Sequence, residues 1–183
     1  MRATYVTFGS TMRSKNHLNH KNKLPRSWWD GTVGLAPVDT VIKNVLDTAY
    51  AHHIERLMIL GNAIALLRID PDDAHTWFME LFIDAYDWVM VPNVYAMSQF
   101  AAGNMITTKP YVSGSNYIIK MSDYKKGDWS DTWDALYWQF VADNRELLSR
   151  NFRVAMIVKL YDKFTPEKKE SIRQLSAPYI DHG

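Results

Sequence analysis

Apolar residues recur at helical spacing along most of the chain. Across residues 37–68 they return every three or four positions, which predicts one long helix that bends near two adjacent histidines. Asp70 and the proline that follows it supply the cap and first turn of a second helix, over residues 71–88. Pro92 interrupts the pattern, so we expect this helical region to end there.

Shorter helices are predicted for the rest of the chain. The spacing places them at about residues 94–100, 115–121, 132–149, 151–163 and 166–178. A loop around Gly103 and Pro110 and a turn-rich stretch at residues 125–131 separate them. Only residues 3–8 alternate as a strand would, and no internal repeat is present, so the sequence predicts an all-α fold.

Composition narrows the class of protein. The chain has 183 residues, 47% of them hydrophobic, which is enough to bury a large core. The absence of cysteine excludes disulfides, thiolate metal sites and cysteine nucleophiles. The longest apolar stretch, residues 57–67, falls short of the roughly 20 residues that a membrane span needs. We therefore expect a soluble, cytoplasmic protein without a membrane segment.

Charge is distributed unevenly although the formal net charge is only +1. Residues 1–29 contain basic residues and no acidic one, together with His17, His20, Trp28 and Trp29. Such a segment suits phosphate contacts and base stacking, as in channels that hold nucleic acid. The alternative is a solvated surface strand, which charge alone favours.

Two histidines and an arginine form the first candidate site, on the predicted long helix. His52 and Arg56 are four residues apart and are expected to share one face, whereas His53 turns toward the apolar stripe. The pair suits acid–base chemistry, but histidines that only hydrogen-bond are more common. A metal site that also used His17 and His20 remains a minor alternative, because no acidic residue completes the set.

A carboxylate in an apolar row is the second candidate. On the predicted second helix, Trp77, Leu81, Asp84 and Trp88 fall along one stripe. A buried carboxylate needs a partner, and Arg56 on the preceding helix is the candidate, so we predict an Arg56–Asp84 ion pair. The pair would either fix the register of two helices or contact a cofactor, and the pattern leaves both open.

The third candidate is the loop and short helix that carry Tyr111 and Tyr117. Both tyrosines stand beside small residues in the stretch KPYVSGSNY. Two tyrosines on a Gly/Ser-rich loop can frame an opening. More often such tyrosines cap the edge of a core, and the sequence does not decide between these alternatives.

Longer motifs resemble a known family. The stretches AYAHHIERLMILGNAIALLRIDPDDAHTWFMELFIDAYDWVMVPNVYAMSQFAAG, TTKPYVSGSNYIIKMSDY and ALYWQF closely resemble the C-terminal half of the FAD-binding domain of photolyases and cryptochromes. The most similar branch is the bacterial iron–sulfur branch of (6-4)-type photolyases. The resemblance extends over about residues 1–164, and it implies the helical half of that domain as the fold.

The resemblance implies roles for the candidate residues. His52 and His53 match the histidine pair at the lesion side of the flavin, and Tyr111 and Tyr117 match tyrosines of the lesion pocket. Four further positions match contacts to the flavin ring, namely Arg56, Asp84, Met90 and Asn93. Trp77 matches the electron donor next to the flavin and Trp29 an outer tryptophan of the same relay.

The chain also departs from the family at specific positions. The branch holds a four-iron cluster on four cysteines, and the corresponding positions here include Ala36, Lys125 and Asp128, so no cluster and no metal are expected. Met90 stands where a polar or acidic group usually faces flavin N5, and a thioether is only a weak acceptor. Phe78 replaces a common oxidisable tyrosine in the relay.

Length is the largest departure. The sequence predicts a partial domain with a basic opening segment (1–36), flavin- and lesion-facing helices (37–122) and C-terminal helices (123–183). The family's antenna domain and the half that clamps the FAD phosphates have no counterpart here. We therefore expect a fragment with weaker FAD binding, whose uncovered apolar face favours self-association or a partner chain.

Two functions from different classes are compatible with the sequence. The first is implied by the resemblance: a light-driven carbon–carbon lyase that repairs pyrimidine photoproducts in DNA, or a blue-light sensor, with reduced or lost activity in this chain. The second is a cofactor-free helical module that binds a partner or nucleic acid through residues 1–29.

Overall fold

A computed structural model describes residues 2–180, and helices make up 66% of the structure. The described residues form no β-sheet, which confirms the predicted all-α fold. Within this part of the chain no helix is long and apolar enough to cross a membrane. Contacts divide the chain into two compact units, Met1–Val112 and Ser113–Gly183.

The first unit contains five α-helices and two π-helical segments. The α-helices are α1 (Arg2–Arg13), α2 (Ala36–Thr48), α3 (Asn62–Leu66), α4 (Pro71–Leu81) and α5 (Asp87–Val91). The π-helical segments are Glu55–Gly61, which leads into α3, and Pro92–Ser98, which continues α5. Short 3₁₀ turns lie at Arg26–Trp28 and Gly103–Met105.

Local chemistry explains where α2 and α4 begin and end. The Asp70 side chain accepts a hydrogen bond from the Asp72 backbone N–H at 2.8 Å, so it caps α4 as predicted. Asp39 in the first turn of α2 accepts from two backbone N–H groups of the preceding loop, at 2.7 and 3.0 Å. Ala49 adopts a left-handed conformation and ends α2, so the single helix predicted for residues 37–68 is wrong: the chain is non-helical over residues 49–52 and resumes as a separate segment.

The weak strand-like alternation at residues 3–8 does not form a strand, because these residues belong to α1. Alternation over six residues imitates a strand, but the helix aligns Tyr5, Gly9 and Met12 on one face. That face packs against α5 and the Pro92–Ser98 segment. Gly9 lacks a side chain where the Tyr5 ring passes, 3.1 Å from the position that a Cβ would occupy. Tertiary packing therefore overrides the local pattern.

The predicted second helix is also divided differently. It ends at Leu81, and Phe82 is extended with φ −109° and ψ 123°. The Ile83 backbone N–H then donates to the Ala49 carbonyl at 3.0 Å, so the chain after α4 pairs with the end of α2 instead of continuing the helix. Pro92 does not end the helical region as expected; it begins the next segment, where its missing N–H is harmless.

The second unit consists of five helices: α6 (Ser115–Met121), α7 (Asp128–Asp143), α8 (Arg145–Ser149), α9 (Ala155–Asp162) and α10 (Pro166–Ile180). Their positions confirm the predicted helical third of the chain. α10 and α9 pack against α7, whose Trp133, Leu136 and Phe140 are fully buried. Asp134 joins α7 to α6, since its carboxylate accepts from the Ser115 backbone N–H at 2.7 Å.

Asp87 anchors α1 to the rest of the first unit. Its carboxylate accepts a hydrogen bond from the Tyr5 hydroxyl at 2.6 Å and forms an ion pair with Arg13, and His75 Nε2 lies 3.4 Å away. Burial raises the pKa of Asp87, but the hydrogen bonds from Arg13 and Tyr5 outweigh it, so the pKa lies below its usual 3.8. Burial lowers the pKa of His75, which favours its neutral form.

Asp87→Asn should therefore destabilise the chain in a pH-dependent way. A carboxylate whose pKa is lowered by folding contributes stability above its unfolded pKa, and this contribution is lost as pH falls through the folded value. Urea unfolding of both proteins should give a constant difference above about pH 5 that shrinks as pH falls below 3.8. A difference independent of pH would show that the Asp87 charge does not hold α1.

Candidate functional site

Two π-helical segments face each other in the first unit and form the frame of a cleft. Glu55–Gly61 and Pro92–Ser98 contact each other directly. π-helical turns are rare, and they occur frequently at functional sites because the widened turn shifts side chains away from ordinary helical positions. The sequence pattern gave no sign of either segment, since both carry apolar residues at spacings that suit an α-helix.

The two segments approach most closely at Gly61. A Cβ on Gly61 would lie 2.3 Å from Ser98 Oγ and 3.0 Å from the Arg56 carbonyl oxygen, so only glycine fits. The Gln99 side-chain amide is 1% exposed and donates to the Gly61 carbonyl at 3.0 Å and to Ser98 Oγ at 2.7 Å. These contacts fix the distance between the segments.

The cleft beside this crossing has apolar walls and a few polar groups. It encloses about 470 Å³ when the part open to solvent is counted. Its lining residues are His53, Arg56, Leu57, Phe78, Val89, Met90, Asn93, Val94 and Ser98. Small-molecule and cofactor sites have this composition, with mostly apolar walls and a few polar groups.

Arg56 is held by four groups at the wall of the cleft. Its guanidinium forms a two-pronged ion pair with Asp84, with Nη1–Oδ1 at 2.8 Å and Nη2–Oδ2 at 2.9 Å. Nε donates to the Ala51 carbonyl at 2.7 Å. The guanidinium carbon lies 5.0 Å from the Tyr50 ring centre and 4.4 Å from that of Phe82. The predicted Arg56–Asp84 pair is thus confirmed, and Arg56 cannot swing freely.

The surroundings of Asp84 differ from the prediction. Asp84 lies in the loop between α4 and α5, not in an apolar helical row, and its side chain is 45% exposed, against 15% for Arg56. The reason is that α4 ends at Leu81 and the chain turns outward. A half-exposed pair contributes about 1 kcal/mol or less, well below the cost of breaking a buried one.

The two histidines have different positions. His53 lines the cleft together with Arg56, whereas His52 is not among the lining residues. His52 Nδ1 accepts a hydrogen bond from the Ile54 backbone N–H at 3.2 Å, and its own backbone N–H donates to the Glu55 carboxylate at 2.9 Å. His52 therefore caps the start of the helical segment, and the Arg56 backbone N–H donates to the His52 carbonyl at 3.0 Å, the i, i+4 spacing of a helical turn.

Tryptophans pack behind the cleft wall. Trp77 is fully buried and its ring contacts that of Phe78, a lining residue, with centres 5.1 Å apart. Trp28, also fully buried, meets Trp77 edge-on at 5.4 Å, and its carbonyl accepts from the Trp77 indole N–H at 3.0 Å. Trp29 is the next residue and is 38% exposed. The sequence had singled out Trp29, but Trp28 makes the contact.

The remaining candidate residues divide between the cleft and other places. Met90 is 5% exposed and Asn93 lies one turn further; both line the cleft, and the Asn93 amide donates to the Val89 carbonyl at 2.8 Å. Tyr111 and Tyr117 are half-buried, and neither is among the residues that line this cleft.

No cluster of three His, Asp or Glu side chains that could hold a metal ion occurs within residues 2–180. The histidine metal site that the sequence left open thus finds no support in the described part of the chain.

Gly61 and Ser98 were missed by the sequence analysis. Gly61 could have been noticed as a break in an otherwise apolar helical run, whereas nothing in the sequence distinguishes Ser98.

Comparisons with known proteins show what the chain that carries this cleft is similar to. Residues 4–134, which include the whole cleft, match the family described as the FAD binding domain of DNA photolyase. The chain is 38% identical over 190 residues to a (6-4) photolyase of Agrobacterium fabrum, and the match covers 98% of this chain and 38% of that protein. The chain thus spans well under half the length of this relative.

A second relative is an uncharacterized protein of Acanthamoeba polyphaga mimivirus. It is 51% identical over 88 residues, which cover 48% of this chain and 72% of that protein.

Gly61→Ala should separate the two π-helical segments. The new methyl group overlaps Ser98 Oγ, so we expect a loss of about 1–3 kcal/mol in the free energy of unfolding, typical of overpacking. Adding Ser98→Ala removes the overlapping oxygen and should restore part of the stability. Gly127→Ala, whose Cβ would meet nothing closer than 3.8 Å, serves as the control. Equal effects at positions 61 and 127 would contradict the close crossing.

Proposed function

The chain belongs to the family of FAD-binding domains of DNA photolyases, and from this premise we propose that its cleft holds the isoalloxazine ring of FAD. The observation that carries the proposal is the lining of the cleft: Arg56 is fixed at one wall, and apolar side chains form most of the rest. A flat, largely apolar ring with polar edges fits such a surface, because its faces need dispersion contacts and its edges need hydrogen-bond partners.

Four residues are proposed to hold the ring. Arg56, kept in place by Asp84, offers positive charge to the ring's electron-rich edge. The Asn93 amide N–H is engaged with Val89, which leaves its carbonyl oxygen as an acceptor. Met90 packs against the ring without donating a hydrogen bond. Because the chain has no cysteine, we propose FAD without an iron–sulfur cluster.

The proposed activity is light-driven repair of a pyrimidine photoproduct in DNA. Reduced FAD, when bound and excited by blue light, supplies the electron that initiates cleavage of the lesion. His53 at the cleft and His52 beside it are proposed to hold and donate the proton that the damaged base requires. Tyr111 and Tyr117 are proposed to contact the lesion, which is flipped out of the duplex. The reaction class would be carbon–carbon lyase.

The tryptophans are proposed to carry an electron to the cleft. Trp77 lies behind Phe78 and is in ring contact with Trp28, and the exposed Trp29 follows directly in the chain. Indole rings in close contact form a short path from the protein surface to the cleft wall. We propose that Trp28 stands between Trp77 and Trp29 in this path.

A second polypeptide or a second copy of this chain is proposed to cover the rim of the cleft. Tyr50, Ile54 and Ile83 are 52%, 40% and 80% exposed around the Arg56–Asp84 pair. Contiguous exposed apolar groups favour association. Sedimentation velocity tests this, and a monomer at every concentration with no stabilisation by added partner would contradict it.

FAD binding tests the proposed site directly. Titration of FAD into the purified chain should quench flavin fluorescence, and Arg56→Met should weaken binding about tenfold or more, since it removes a charged contact of roughly 1.5–3 kcal/mol. Arg145→Met is the matched control, because Arg145 forms a similar two-pronged pair with Asp162 far from the cleft in sequence. No flavin binding at all would instead favour the cofactor-free helical module.

Repair tests the proposed activity separately. The FAD-loaded chain should restore an oligonucleotide that carries a (6-4) photoproduct in blue light and not in darkness. His53→Ala and His52→Ala should each lower the single-turnover rate about 100-fold, as expected for loss of general acid catalysis. Rates are compared at equal flavin content. Unchanged rates in both variants would remove the histidines from the mechanism, and binding without repair would favour a light sensor.

A further inference from the structure

One exposed apolar surface lies outside the cleft, in the second unit. Phe152, Met156 and Leu160 are 96%, 78% and 51% exposed, and they recur at intervals of four residues along α9 and the turn before it. We call these three side chains the α9 ridge. None of the three lines the cleft that is proposed to hold the flavin.

The opposite side of α9 is firmly packed, which fixes the orientation of the ridge. Val158 is 3% exposed, and α9 contacts both α7 and α8. Trp138 of α7 stacks on Tyr161 with ring centres 6.5 Å apart. Met156 and Leu160 therefore lie on the outer face of an anchored helix, and Phe152 lies in the turn that precedes it. Three large apolar side chains exposed in this way cost solvation free energy unless a partner covers them.

Basic residues flank the ridge without acidic partners. Arg153, Lys159 and Lys163 are exposed, and within the described part of the chain no carboxylate forms an ion pair with any of them. Three acidic side chains nearby are already engaged: Glu146 pairs with Arg150, Asp162 pairs with Arg145, and Asp143 accepts a hydrogen bond from the Gln139 amide at 2.7 Å. The surface thus combines an apolar strip with an uncompensated positive border.

We propose that the α9 ridge is a docking surface for an amphipathic helix of a partner protein whose apolar face is bordered by acidic residues. A helix in this position covers all three ridge residues, because their spacing extends over about two helical turns. Its carboxylates meet the unpaired basic residues, and Met156 adapts to the shape of the partner.

Charge and apolar area favour a partner helix over two other occupants, a second copy of the chain and a bilayer surface. If a second copy of the chain docked ridge to ridge, Lys159 and Lys163 of one copy would approach the same lysines of the other, and these like charges would repel each other. A bilayer surface offers negative charge, but two side chains on an eight-residue helix and one in the turn before it present a small apolar area for stable membrane anchoring. Both occupants are outcomes of the experiment below.

The experiment measures binding of a synthetic helix to the full chain. The probe is a fluorescein-labelled peptide of about 18 residues, five helical turns, with leucines on one face and glutamates along both borders. A second peptide has lysine in place of every glutamate. Fluorescence anisotropy should show saturable binding of the acidic peptide and at least about tenfold weaker binding of the basic one.

Variants of exposed residues identify the surface. Phe152→Ser and Met156→Ser should each weaken binding of the acidic peptide about tenfold, as for loss of an interface anchor, and circular dichroism checks that both remain folded. Leu175→Ser on α10 is the matched control, since Leu175 is an exposed apolar residue of the same unit at 46%. The double variant Lys159→Glu with Lys163→Glu should reverse the preference between the two peptides.

Four results would overturn the proposal. They are no binding of the acidic peptide, equal binding of both peptides, equal loss in the Leu175→Ser control, and no reversal in the charge-swapped variant. Vesicles that contain phosphatidylserine serve as a further probe, and co-sedimentation lost in Phe152→Ser would assign the ridge to membranes instead. A dimer in sedimentation velocity that dissociates on Phe152→Ser would assign it to a second copy.

Discussion

The position of Arg56 is the constraint on which the candidate site depends. Its guanidinium is fixed by the two-pronged pair with Asp84, by the Ala51 carbonyl and by two aromatic rings. Each contact is weak at a half-exposed site, but together they hold one charged group at the wall of an otherwise apolar cleft. The same pair ties the loop after α4 to the start of the Glu55–Gly61 segment, so cleft geometry and local folding are coupled.

Polar and apolar contacts in the first unit determine different aspects of the cleft geometry. The contact of Gly61 with Ser98 sets how far apart the π-helical segments stand, and the Trp77–Phe78 rings fill the space behind one wall. Asp87 fastens α1 to the element that continues into the second π-helical segment. A displacement of α1 would therefore also displace Met90, which lies three residues after Asp87 and lines the cleft.

Much of this architecture could be predicted from the sequence, for reasons that are local. The Asp70 cap and the helices of the second unit follow from capping chemistry and periodicity. The sequence also predicts the Arg56–Asp84 pair, although from a buried Asp84 in a helical row, whereas Asp84 is half-exposed in a loop. Other features could not be predicted from the sequence, because they depend on packing between elements that are distant in the chain. These features are the α1 helix, the extended Phe82 and the two π-helical segments. The contact between Trp28 and Trp77 likewise depends on tertiary packing and is not encoded in their sequence spacing.

The central claim is that this cleft receives the flat ring of a flavin. A crystal structure of the chain grown with FAD tests it most directly. The account predicts ring density bounded by His53, Arg56, Met90 and Asn93, with the Arg56–Asp84 pair intact. Ring density at another place on the chain, or a cleft closed by its own aliphatic side chains while FAD is bound elsewhere, would contradict it.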